Sequence, residues 1–283
     1  MKQLYMSLVG ALAWLILTMP AVCVYVAFLQ RHTKGPTIGH VRSANRLLKW
    51  IRKNLKGLGV RSQRLREPLR LIALSDSAFK AQDYDGLVMR GCVIMLAEAV
   101  ADGDEPHGAT HRASHKPWST GMTVRLHLLD WYSRKHTRVV RSTFAAELLS
   151  LLDAVNQGNA INIALNELHL GTKSAKQLLE QQGQAGIPMD AGVDAKNVFD
   201  SLTADVVNTP NDKQLLLHAK AMRELLEDGQ VDRLFWFDTE DMLPDGLTKG
   251  CVDREPLLKV AAEGEWAIKN DAPVWKTLRK EGQ

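Results

Sequence analysis

Cysteine is scarce. The 283 residues hold three, Cys23, Cys92 and Cys251, odd in number, far apart and without a C-x-x-C pair. That spacing excludes a disulfide framework and a zinc ribbon, and a reducing compartment suits it. No glycine-rich phosphate loop and no Ser/His/Asp grouping is apparent. Acid is nearly missing from the front of the chain. Residues 1–70 carry thirteen Lys and Arg against one acid, Glu67, a net +12; the other 213 carry twenty-three against thirty-one, a net −8. A basic arm on an acidic body calls for a polyanionic partner, either nucleic acid or an anionic membrane surface. The rest of the composition is ordinary, 45% apolar and 24% charged, which excludes a disordered, collagen-like or low-complexity chain. The length suffices for one large domain or two ordinary ones with a real core.

Ser7 to Leu29 is a run of 23 uncharged residues, long enough to span a bilayer. Lys2 precedes it and Arg31, Lys34, Arg42 and Arg46 follow, so a membrane-anchored chain would keep its bulk in the cytoplasm. The other reading is two packed helices, about 5–18 and 20–32, because Pro20 in Thr18-Met19-Pro20 breaks the run. From His40 to Gly57, Val41, Ala44, Leu48, Ile51 and Leu55 recur at helical spacing. Arg42, Arg46, Lys49, Arg52, Lys53 and Lys56 cover much of the remaining surface, a face suited to phosphates and equally to lipid headgroups. Trp50 is the one aromatic on this helix that could stack on a base; core packing is its commoner use. Residues 61–70, with Pro68, read as a basic linker.

The body starts at Leu71. Strands are expected at 71–74, 88–96, 124–131, 187–193 and 231–237. Helices are expected from Thr143, capped by Ser142 and broken near Gly158, then from Asp194 as an N-cap, from 213 to 228, and from about Pro244. Three consecutive strands followed by alternating strand and helix imply an α/β body, a mixed five-stranded sheet with helices on its faces. Residues 98–121 look like an inserted surface loop, and 256–283 like a C-terminal tail. His107, His111 and His115 recur every four residues, but the prolines and glycine around them argue against a zinc-binding helix.

Four acids fall at element ends: Asp76 after the first strand, Glu147 one turn into the first long helix, Asp194 after the fourth strand, and Asp245 after the fifth. Strand ends and helix starts are where α/β sheets build sites. Carboxylates gathered there need a hard cation such as Mg²⁺, and two such ions about 3.5–4 Å apart can hydrolyse a phosphodiester. Spacing alone does not single these four out among 32 acids.

Four blocks do more. They are Leu74-Ser75-Asp76-Ser77-Ala78-Phe79; Trp131-Tyr132-Ser133-Arg134-Lys135-His136 with Arg141-Ser142-Thr143-Phe144-Ala145-Ala146-Glu147; Val193-Asp194-Ala195-Lys196-Asn197; and Phe237-Asp238 running to Leu243-Pro244-Asp245-Gly246-Leu247-Thr248-Lys249. In this order the body resembles the ribonuclease H domain of copia-type retrotransposon polyproteins. Leu4-Tyr5-Met6-Ser7-Leu8-Val9-Gly10-Ala11-Leu12-Ala13-Trp14-Leu15 and the helix from His40 resemble that family's thumb and connection. Departures are Met19 and Ala21 in the T-R-P-D position, one extra residue between Thr143 and Glu147, and Ala195 in place of Asn after Asp194. No Y-x-D-D motif occurs, so no polymerase activity is expected of the chain alone.

The resemblance implies a ribonuclease H-like fold behind a helical segment (1–60), with the nuclease over 71–255. It implies Asp76, Glu147, Asp194 and Asp245 as catalytic, metal-binding carboxylates for two Mg²⁺ ions, which Mn²⁺ can replace. Asp190 competes with Asp194 for the third position. The implied substrate is an RNA–DNA hybrid, the implied companion a separately encoded polymerase, and the compartment cytoplasmic or nuclear. An inactive nucleic-acid-binding relic is the alternative.

Overall fold

The computed structural model describes residues 1–78, 88–99, 118–137, 139–171, 174, 176–177, 187–204 and 213–276. The histidine triplet and residues 100–117 of the expected loop lie outside them.

Five strands appear near their expected places: β1 (Leu69–Ala78), β2 (Met89–Glu98), β3 (Thr123–Lys135), β4 (Met189–Val193) and β5 (Arg233–Trp236). The expected count of five is nevertheless corrected. The stretch read as a tail supplies two more strands, β6 (Glu265–Ala267) and β7 (Val274–Lys276), and the sheet runs β6-β3-β2-β1-β4-β5-β7. Strands of three residues are too short to show a period of two, so pattern reading passes over them. β1 pairs antiparallel with β2 and parallel with β4; β4 and β5 are parallel, and the two new strands are antiparallel edges.

β1 is the axis. Its interior is buried on both faces, which is why Leu71-Ile72-Ala73-Leu74 is a continuous apolar run. Leu71 and Ala73 face α4 (Thr143–Leu170), whose Leu148, Leu151 and Val155 complete that core. Ile72 and Leu74 face the opposite layer with Phe237, Leu247 and Trp266. Trp118 belongs to this second core at 2% exposure, so the expected surface loop is interior at that end.

α4 is not broken at Gly158. A Cβ there would lie 2.7 Å from Met189 Sδ and 3.5 Å from Ala73 Cβ, so the glycine lets an unbroken helix approach the sheet closely. Three shorter helices complete the body: α5 (Lys196–Thr203), α6 (Lys213–Glu227) and α7 (Asp245–Thr248). A fourth, α8 (Glu255–Glu263), lies in the expected tail and ends on Gly264 in the left-handed conformation that glycine tolerates.

The N-terminal run folds as packed helices. α1 (Lys2–Leu15) ends before Pro20, a 3₁₀ turn covers Pro20–Val22, and α2 (Cys23–Gln30) follows. Tyr5 Oη donates to Leu29 O at 2.7 Å, closing α1 onto α2. Among the described residues, no helix is long and apolar enough to cross a membrane. α3 (Ile38–Asn54) is capped by Thr37, whose hydroxyl accepts from His40 N while Thr37 N donates to His40 Nδ1. Its inward stripe is Ala44, Leu47 and Ile51; Leu55, expected to continue it, stands exposed in the following turn. Trp50 packs half-buried against this helical core. Arg42, Arg46, Lys49, Arg52, Lys53 and Lys56 are all exposed.

This helical layer is joined to the body. Cys23 lies in the same core as Trp266, and Trp131 Nε1 donates to Ile16 O at 2.7 Å. Nor is the stretch 61–70 a free linker: Arg61 N donates to Ala261 O at 2.7 Å, and Arg70 lies inside β1.

Gly192 tests the packing. A Cβ there would come within 2.6 Å of both Leu74 Cδ2 and Phe237 Cε2, and neither buried side chain has room to retreat. Gly192→Ala is expected to cost about 1–3 kcal/mol by overpacking, read as a lower urea midpoint at unchanged slope.

Candidate metal centre

Asp76, expected just after the first strand, lies inside β1 two residues before its end, and Asp194 follows β4 directly. Because β1 and β4 are adjacent and parallel, both carboxylates emerge at the same sheet edge, where open α/β sheets bind ligands. Asp245 opens α7, which packs across the ends of β1 and β2. One oxygen from each of Asp76, Asp194 and Asp245 lies within 4.8 Å of the others, close enough to hold a metal ion. Glu147, one turn into α4, is not one of these three; it is 8% exposed, its charge interacts with Asp76 and Asp194, and its Oε2 is buried with no hydrogen-bond partner among the described residues. Asp194 is not the N-cap of α5. That position is Ala195, so the Asp194 carboxylate is left to the cluster.

The close approach of α7 depends on Gly91, opposite Asp76 in β2. A Cβ at Gly91 would lie 2.8 Å from Thr248 Cγ2 and 2.9 Å from Pro244 O, pushing the Asp245 segment off the sheet. Arg254 pins the same segment from outside. It donates to Gly246 O at 3.1 Å and Val252 O at 3.1 Å, and also to Lys249 O. Its guanidinium lies 4.6 Å from the Tyr25 ring centroid, and Tyr25 Oη donates to Gly250 O at 3.3 Å. The helical layer thus braces the turn that carries Asp245.

The electrostatics are those of a crowded, dry cluster. Burial and then the Asp245 charge push Asp76 up to about 7, against Lys249 and the hydroxyl of Thr248, which donates to Asp76 Oδ2. Burial and Asp245 raise Asp194 to about 6. Burial, then Asp76 and Asp194, raise Glu147 to about 9, with a Ser77 backbone hydrogen bond pulling the other way. Lys249 Nζ stands 2.6 Å from Asp245 Oδ1 and 3.6 Å from Asp76 Oδ1. Burial alone would lower its pKa, but the three aspartates raise it.

Asp190, the competitor for Asp194, has a different environment. It is fully buried and held by two arginines: Arg70 at 2.8 and 2.6 Å, Arg233 at 3.0 and 2.7 Å. Burial raises its pKa, and the two guanidiniums more than reverse that. It is a locked ion-pair hub inside the sheet, four residues from the cluster.

Thr248, Lys249, Gly91, Arg254 and Tyr25 escape a reading aimed at carboxylates. Their one signal in the sequence is Leu247-Thr248-Lys249 beside Asp245; nothing there ties Arg254 to Tyr25, 229 positions apart. No protein-family model matches the chain, and no curated protein sequence matches it.

Two outcomes are expected. Each raised carboxyl binds its proton more tightly folded than unfolded, where the value is near 4. Folding stability of the metal-free protein should therefore fall as pH rises from about 4 to 9, and millimolar Mn²⁺ should raise Tm more at pH 8 than at pH 5; a Tm rising with pH in the absence of metal would contradict this. Neutralisation should also separate the two neighbours. Asp190→Asn breaks a buried pair and should cost about 3–5 kcal/mol, whereas Asp194→Asn relieves repulsion and should stabilise the metal-free protein by about 1–3 kcal/mol at pH 8, the size of a one- to two-unit pKa shift. Urea titrations of both variants check the opposite signs.

Proposed function

We propose that the chain is a ribonuclease H-like nuclease of copia-type retroelement descent, which hydrolyses the RNA strand of RNA–DNA hybrids with divalent cations held by Asp76, Glu147, Asp194 and Asp245. The observation that carries this reading is the convergence of Asp76 and Asp194, from adjacent parallel strands, with Asp245 from the start of α7, together with a buried Glu147 oxygen that has no hydrogen-bond partner among the described residues. Three antiparallel strands followed by two parallel ones, with helices between, also agree with what the family resemblance implies.

The donor set is all oxygen, the preference of Mg²⁺ and Mn²⁺. Such an ion, when bound, activates water and stabilises the leaving oxygen of a phosphodiester. The chain's own part is to hold charge in place. Burial keeps the carboxylates dry and strengthens their hold on a cation. Glu147 keeps its proton near neutral pH until a cation binds, which lets the fold tolerate so many acids in one place. Along α3, Arg42, Arg46, Lys49 and Lys53 fall on one stripe at spacings of four, three and four residues, a row of exposed cations about 16 Å long at 1.5 Å per residue. That row suits contact with successive phosphates, with counterion release supplying the affinity.

The test is a labelled RNA–DNA hybrid incubated with the purified full chain and Mg²⁺ or Mn²⁺. Cleavage of the RNA strand should fall roughly a thousandfold in Asp76→Asn, a loss of several kcal/mol at tenfold per 1.36 kcal/mol. Replacing Arg42, Arg46, Lys49 and Lys53 by Gln should flatten the salt dependence of hybrid binding, by roughly 0.7–0.9 in log–log slope for each phosphate that is no longer neutralised. A folded chain that binds the hybrid without cutting it would leave a nucleic-acid-binding module and sink the nuclease.

A further inference from the structure

The cluster already holds a cation of its own. Lys249 Nζ touches Asp245 Oδ1 at 2.6 Å and reaches Asp76 Oδ1 at 3.6 Å, so the ammonium sits on the Asp245 side of the shared Asp76 carboxylate. The other Asp76 oxygen accepts from Thr248. Both Asp76 oxygens are thus engaged from α7 and its following residue, while Glu147 Oε2 is buried with no hydrogen-bond partner among the described residues.

Lys249 is not a loose surface side chain that drifted there. Its backbone N donates to Asp245 O at 3.1 Å, and its carbonyl is one of the group gripped by Arg254. Arg254 is 8% exposed and rests on Tyr25, so the backbone delivering the ammonium is fixed from two layers of the fold.

We propose that Lys249 is a resident cation of this site, filling the place between Asp76 and Asp245, and that the chain therefore takes up one divalent ion, on the side of Asp76 that faces Asp194 and Glu147. This rests on the metal-binding reading above and narrows it from two ions to one ion plus an ammonium. A compact cation between two carboxylates offsets their repulsion as a metal would, but it exchanges no ligand and activates no water.

The probe is Mn²⁺ alone, without nucleic acid, with stoichiometry by calorimetry and by the spectrum of bound Mn²⁺. The wild-type full chain should bind one ion per chain and give the spectrum of an isolated Mn²⁺. Lys249→Met should bind two, with the exchange-coupled spectrum of ions about 3.5–4 Å apart. Lys249→Arg, which keeps the charge, should bind one. If Lys249→Met fails to fold without metal, Lys249→Gln read in the same way replaces it. Two ions in the wild type, or one in both the wild type and Lys249→Met, would overturn the role of Lys249 while leaving the metal centre standing. No ion in any variant, with the fold intact, would overturn the metal centre itself and the inference with it.

Discussion

Mutual repulsion among carboxylates at one sheet edge is the constraint to which the rest of this structure answers. Three aspartates that would each be ionised in water are brought together, with Glu147 near enough to feel two of them, in a place that solvates them poorly; burial first, and then their mutual charge, raises the pKa values of Asp76, Asp194 and Glu147. No fold gathers such groups without opposing forces, since each charge costs several kcal/mol to desolvate. Here the opposing forces are local and identifiable: a lysine ammonium, a threonine hydroxyl, and a proton retained on Glu147. Asp190 makes the contrast. The same residue type four positions away, and more deeply buried, is satisfied by two arginines and held below its ordinary range.

The scaffold keeps these charges in place by close approach on one side and bracing on the other. Gly91 lets the Asp245 turn lie directly on β2. Arg254 then ties four residues of that turn to one guanidinium, through Gly246, Lys249, Gly250 and Val252. Tyr25 supports it from the N-terminal layer, itself anchored to the sheet through Ile16 and Trp131. The basic layer is thereby a structural part of the body. It helps set the position of a charged residue at the opposite end of the chain, so a change in α2 can be felt at the acid cluster.

Much of this architecture is legible in the residues. The continuous apolar run at Leu71–Leu74 marks a central strand because both faces need covering. Ser142 announces α4, and its hydroxyl does accept from Ala145 N. Pro20 divides the apolar N-terminus where a proline must. What misleads is what depends on tertiary partners. Gly158 looks like a break until Met189 and Ala73 are seen across from it. Asp194 looks like an N-cap until its carboxylate is seen turned toward Asp245. Trp266 and Trp275 belong to strands too short to show a pattern, and pairing with β3 and β5 alone gives them their form. At the site, the acids are picked out by the family resemblance, because their spacing alone does not single them out among 32 acids. Lys249 is not, because a lysine four residues after an aspartate is usually a solvated surface pair.

Charge balance explains why a lysine belongs there. With Glu147 protonated and all three aspartates ionised, as a bound cation would make them, one ammonium leaves the cluster at minus two. One divalent cation cancels that charge, and a second would leave an excess of positive charge in a poorly solvated place unless Glu147 gave up its proton or a phosphate arrived. Under the proposed function, an incoming phosphodiester would bring the negative charge that makes further cation density favourable, and the basic row on α3 would give the same polyanion a second place to be held. Under the proposed function, the charge split seen along the chain, basic in front and acidic behind, would be a division of labour: the front would attract the polyanion as a whole, and the acid cluster, already furnished with the Lys249 ammonium, would act on a single bond of it.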